Sequence, residues 1–124
     1  NAYYNRKDYE SASNAAQALI QIRDDLAYPY YMLGIVGYDT KEYQASREAY
    51  EKAVELYEDN ATFLYGLAYT CDAMEDYETA YAASMRCKLL MPTVNHETDR
   101  YGLGYHNARL LERIEAKMKT EVTE

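Results

Sequence analysis

Apolar and small residues recur along this chain at three- and four-residue steps, the spacing of one face of an α-helix. Between Ala27 and Asn60 the pattern breaks once, at Asp39, Thr40, Lys41 and Glu42, which are too polar to bury. This stretch therefore predicts two helices joined by a tight turn. Tyr30, Leu33, Gly34 and Gly37 share a face of the first helix, and Tyr43, Ser46, Tyr50, Ala53, Val54 and Leu56 share a face of the second. The small residues Gly34, Gly37, Ser46 and Ala53 leave room for Tyr50 and Leu33, so the two helices are expected to pack closely. A lone hairpin cannot bury both of its sides and needs neighbours of its own kind.

Those neighbours stand at a fixed distance. Tyr9, Tyr43 and Tyr77 lie 34 residues apart, and the same step links Ala12, Ser46 and Ala80, then Ile22, Leu56 and Leu90. It also links Leu33, Leu67 and Tyr101 in the first helix of each unit. A helix-turn-helix unit of this period is the signature of a tetratricopeptide array. The motif residues are Tyr30, Leu33, Gly34, Ser46, Tyr50 and Ala53 in one unit, and Leu64, Leu67, Ala68, Ala80, Ser84, Cys87 and Pro92 in the next. On these residues the chain resembles the tetratricopeptide-repeat family over almost its whole length. It departs from the family where tyrosine or leucine replaces tryptophan, where Ser46 replaces alanine, and where Glu58 stands in the slot of Pro92. The resemblance implies an all-α fold, a right-handed α-solenoid of antiparallel helix hairpins.

The expected organisation is a single domain over residues 1–124. Residues 1–26 form a partial repeat, whose helix over 8–23 turns Tyr9, Ala12, Ala16, Leu19 and Ile22 inward. Complete repeats follow at 27–60 and 61–94, the latter with helices at 61–73 and 77–90 stopped by Pro92. The last segment, 95–120, shows no turn chemistry at Arg109 and Leu110, where one is due. Tyr101, Tyr105, Ala108, Leu111, Ile114 and Met118 keep helical spacing through that point. One long helix is expected from His96, capped by Asn95, to Met118, with the residues after it fraying. Its role is to cover the last repeat's apolar side. The chain does not begin with Met and shows no signal peptide, so it reads as a segment of a longer protein.

Composition narrows the function classes. No run of eighteen apolar residues predicts a membrane span. A net charge of −8 argues against nucleic acid, whose phosphates call for a basic face, and favours basic partners. Cys71 and Cys87 are offset by six residues about their turn, roughly 9 Å of helix rise, whereas a disulfide needs Cα atoms within about 7 Å. Both are expected as free, buried thiols. His96 and His106 stand ten residues apart, about 15 Å along a helix, too far to share a metal ion. Neither a nucleophile-base pair, a Gly-rich phosphate loop nor a CxxC is found, so no cofactor, metal or catalytic residue is expected.

In the family that the chain resembles, ligands lie in the groove made by successive first helices. The resemblance places Tyr28, Tyr31, Met32, Ile35, Tyr38 and Asp39 on that surface. The next repeat adds Tyr65, Tyr69 and Asp72, and the last helix adds Arg100 and Leu103. Outward tyrosines suit peptide contact, because they present broad rigid area with a hydrogen-bonding tip. The lysines and asparagines with which some members clasp chaperone-tail carboxylates are missing, since Tyr31, Ile35, Tyr65, Tyr69, Ala73, Asp99 and Leu103 fill those slots. An acidic strip (Glu48, Glu51, Glu55, Glu58) and a basic strip (Arg109, Arg113, Lys117) read as solvated faces, or as surfaces that meet in a homodimer or between domains. The resulting expectation is a non-catalytic protein- or peptide-binding scaffold with a tyrosine-lined groove. A structural spacer or oligomerisation module is the alternative, and an enzyme on the same scaffold is the weaker rival.

Overall fold

The computed structural model describes residues 6–91 and 102–123, and among them lie six α-helices and no strand. They are α1 (Arg6–Ile22), α2 (Ala27–Asp39), α3 (Tyr43–Leu56), α4 (Ala61–Ala73), α5 (Tyr77–Leu89) and α6 (Leu103–Thr123). The chain divides into two compact units, Asn1–Glu58 and Asp59–Glu124. In the first, α2 and α3 form a hairpin and α1 packs on α2; in the second, α4 and α5 form a hairpin and α6 packs on both.

Close approach in the first hairpin follows from its glycines. A methyl group at Gly34 would stand 2.8 Å from the Tyr50 ring, and one at Gly37 would stand 2.9 Å from the Ser46 backbone nitrogen. With no side chain in the way, Ser46 reaches across and its hydroxyl donates to the Gly34 carbonyl at 2.7 Å. Ser46 and Ala53 are fully buried and Tyr50 nearly so, as the spacing predicted.

The turns of the two hairpins share one construction. Glu42 N–H donates to the Gly37 carbonyl and Lys41 N–H to that of Tyr38; Asp76 and Glu75 repeat the pair to Cys71 and Asp72. These crossed bonds are the Schellman ending of a helix, which places its next residue in the left-handed region. Lys41 and Glu75 occupy that position at φ 66° and 62°. Neither is glycine, which is why this feature is hard to read from the sequence.

In the second unit Leu64, Ala68, Cys71, Ala80, Ser84, Cys87 and Ile114 are fully buried. Asn60 and Asp76 cap α4 and α5 by accepting from the Phe63 and Thr79 N–H groups. Both cysteines are free, as their register predicted, and the Cys87 thiol donates to the Ala61 carbonyl at 3.4 Å. Asn107 locks α6 to α5, accepting from the Ser84 hydroxyl at 2.9 Å and donating to the Ser84 carbonyl at 3.0 Å.

Two expectations about helices are corrected. Leu19 is 44% and Ile22 78% exposed, although the period placed both inward. Among the described residues α1 packs on α2 alone, so only Ala16 of its apolar stripe is buried. The last helix begins at Leu103 with Gly102 at a bend before it, and runs to Thr123, beyond the expected end at Met118. Lys119, Thr120 and the residues after them include no glycine or proline to stop it. The expected start at His96, the Asn95 cap, Pro92 and residues 1–5 of the partial repeat lie outside the described residues.

Candidate functional site

The outward residues of α2 are held by its own unit. Tyr28 is 62% exposed, and its ring lies 6.1 Å from that of Tyr31. Tyr31 leans inward, its ring 6.1 Å edge-on from the core residue Tyr50. Tyr38 meets Tyr43 at 5.3 Å across the turn, and Asp39 accepts from the Tyr9 hydroxyl at 3.3 Å. Met32 and Ile35 are half-buried. Of this set Tyr28 is the side chain most available to a partner, and the others contribute a partly covered aromatic surface.

In the second unit Tyr65 and Tyr69, one helical turn apart on α4, stack at 5.8 Å and are half-buried. Burial pushes the hydroxyls of Tyr31 and Tyr65 above their ordinary range, each helped by the neighbouring tyrosine. Asp72 is 6% exposed and accepts from Arg113 at 3.1 Å and Lys117 at 3.2 Å. Two members of the basic strip therefore pair with a buried acid of their own unit while staying partly exposed. Lys117 also sits 5.3 Å over the Tyr77 ring. Leu103 is half-buried at the start of α6, and Arg100 lies outside the described residues.

A different concavity opens in the first unit, a groove of about 830 Å³ between α1, α2 and α3. Its floor is Tyr30, Leu33 and Val36 of α2, and none of the outward tyrosines lines it. Sequence reasoning placed Tyr30 and Leu33 in the hairpin core; the structure leaves both half-buried at this groove. The signal that could have found it is the pairing of that apolar face with the small residues Ser13, Ala45 and Ala49.

Among the described residues no group of three or more His, Cys, Asp or Glu side chains is placed to hold a metal ion. His106 is exposed, its ring edge-on to Tyr105. No described helix is long and apolar enough to cross a membrane.

The sequence profile of the tetratricopeptide repeat matches residues 27–60, the α2–α3 hairpin. No curated protein matches the chain. Among solved structures, the type III secretion translocator chaperone SycD of Yersinia enterocolitica is similar over 91% of this chain and 76% of its own, with TM-score 0.79 and 18% identity. MamA is similar over 94% of this chain and 72% of its own, with TM-score 0.67 and 19% identity. At such identities the likeness speaks for the fold, all-α helix hairpins of the repeat type, and for nothing finer.

Proposed function

We propose that this chain, whose residues 27–60 match a tetratricopeptide repeat, is a non-catalytic scaffold that binds a protein or peptide through its outward tyrosines. The repeat match supports protein interaction as the general role, and the fold relative SycD is a type III secretion translocator chaperone. The observation that carries the finer reading is the tyrosine pair on the first helix of each hairpin. Tyr28 with Tyr31 on α2, and Tyr65 with Tyr69 on α4, form adjacent ring pairs that are exposed at Tyr28 and half-buried at the other three. Each pair is proposed as a contact surface of its own unit. Tyrosine suits the task because it gives large contact area at small entropic cost.

The test is a peptide-array screen of the intact chain, repeated with Tyr28→Ala and Tyr65→Ala. Tyr28 is exposed, so its truncation leaves the hairpin packed, and ligands of the α2 face should weaken by about 1–2 kcal/mol. Selected ligands that bind equally to a folded Tyr28→Ala/Tyr65→Ala variant would rule the tyrosine faces out.

A second reading, oligomerisation, is favoured by the exposed Leu19 and Ile22 of α1. Light scattering of the parent and of Ile22→Glu addresses it: a dimer lost in the variant supports self-association, and a monomer in both removes it.

A further inference from the structure

The groove between α1, α2 and α3 belongs to a face of α2 that the proposed tyrosine contacts do not use. Tyr30, Leu33 and Gly37 fall on one side of that helix, and Tyr28, Tyr31, Ile35 and Tyr38 fall on the other, by the 3.6-residue period. The floor of Tyr30, Leu33 and Val36 is apolar. Ser13 on the α1 side and Ala45 and Ala49 on the α3 side are small and leave room between the longer lining side chains such as Gln17, Glu48 and Lys52. From Glu42, just before α3, to Lys52 the lining spans ten residue steps, about 15 Å of helix rise. A volume of about 830 Å³ is at the upper end for an enclosed small-molecule site, and this one is an open trench.

Charge says what kind of segment fits. Glu10, Glu42 and Glu48 line the groove against one cation, Lys52. Lys52 in turn lies 3.5 Å from Glu55, which is not part of the lining. The two acids expected to greet a basic ligand elsewhere already have partners: Asp72 takes Arg113 and Lys117, and Asp39 takes the Tyr9 hydroxyl. In the groove an apolar floor and an acidic rim coincide.

We propose that this groove docks a short, basic, amphipathic segment of a partner protein. Its apolar side chains lie on Tyr30, Leu33 and Val36, and its lysines or arginines reach Glu42 and Glu48. An acidic segment would bring carboxylates against carboxylates, a repulsion that grows as water is excluded. The site is independent of the tyrosine faces and stands or falls without them.

The probe is a dodecapeptide of leucines and lysines in an amphipathic helical pattern, with a leucine-glutamate counterpart, titrated into the intact chain by NMR. The lysine peptide should shift the amides of Leu33, Val36 and Ala45, and the glutamate peptide should not. Glu48→Lys should weaken the lysine peptide about tenfold, whereas Glu112→Lys, the same charge change on an exposed position of α6, should cost less than about twofold. Ala45→Trp, which fills the trench from an exposed position, should also weaken it about tenfold while leaving the helical circular dichroism intact. Tyr28→Ala should leave this affinity unchanged, which separates failure here from failure of the tyrosine faces. The proposal is overturned if Glu48→Lys and Glu112→Lys weaken binding equally, if the shifts centre on Tyr28 and Tyr31, or if no groove amide shifts.

Discussion

The Ser46 hydroxyl donates to the Gly34 carbonyl over 2.7 Å, and both residues are buried where α2 crosses α3. That contact exists because Gly34 and Gly37 present bare backbone to α3. Alanine at either position would gain about 1 kcal/mol of helix propensity but must find room. At Gly37 the obstacle is the Ser46 backbone at 2.9 Å, which cannot step aside; at Gly34 it is the Tyr50 ring at 2.8 Å, which can tilt. Gly37→Ala should therefore lower stability by about 1–3 kcal/mol in urea titrations, and Gly34→Ala by less. A Gly37→Ala protein as stable as its parent would refute the close packing.

Lys41 and Glu75 hold left-handed backbone at φ 66° and 62° without being glycine. An L-residue there costs roughly 1–2 kcal/mol relative to the right-handed region, and glycine relieves much of it at a helix end. Lys41→Gly and Glu75→Gly should each raise stability, by about 1 kcal/mol, whereas Lys41→Ala should change little. Thermal melts of the three variants decide the point, and a loss of stability in both glycine variants would contradict it.

The Asp72 cluster should respond asymmetrically. The Asp72 side chain is 7% exposed, whereas those of Arg113 and Lys117 are 51% and 39% exposed. Asp72→Asn leaves two cations that can turn to water, at a cost of about 1 kcal/mol. The Arg113→Ala/Lys117→Ala double variant leaves a buried carboxylate without its partners, and should cost about 3 kcal/mol or more. Equal losses in the two denaturation curves would mean that Asp72 is less buried than its geometry indicates.

Burial pushes the Cys87 thiol up from 9.0 to about 11. A raised folded-state value means that the folded protein keeps its proton where the unfolded chain gives it up. The associated stability is present below pH 9 and is lost as the pH rises from about 9 to about 11. Cys87→Ala should flatten the fall in stability over that window, read as melting temperature against pH. Tyr31 and Tyr65, raised in the same direction, contribute a further fall above their own range that remains in the variant. An unchanged slope would show that the thiol does not contribute.

Much of the hairpin architecture was legible because helical burial has a short period and the repeat a long one. Gly34, Ser46, Ala53, Ala80 and Ser84 could be placed inward from spacing alone, and the bounds of α4 follow from its Asn60 cap and the polar turn after Ala73. Asn107 was missed although its position was readable. It stands three residues after Gly104 and seven before Ile114 on the buried face of α6, and polarity concealed it.

What the sequence by itself determined is the local order: which residues form helices, where two polar turns fold them into hairpins, and which small residues let those hairpins close. These depend on neighbours within one or two turns, and periodicity records them. Tertiary structure alone decided which charges meet and which faces stay open. Arg113 and Lys117 stand 41 and 45 residues from Asp72, and no spacing rule brings them together. Leu19 and Ile22 carry the inward period of α1, yet a stripe is buried only where another element covers it. The acidic groove arises in the same way, from three helices whose separate patterns are ordinary and whose packing leaves a trench between them.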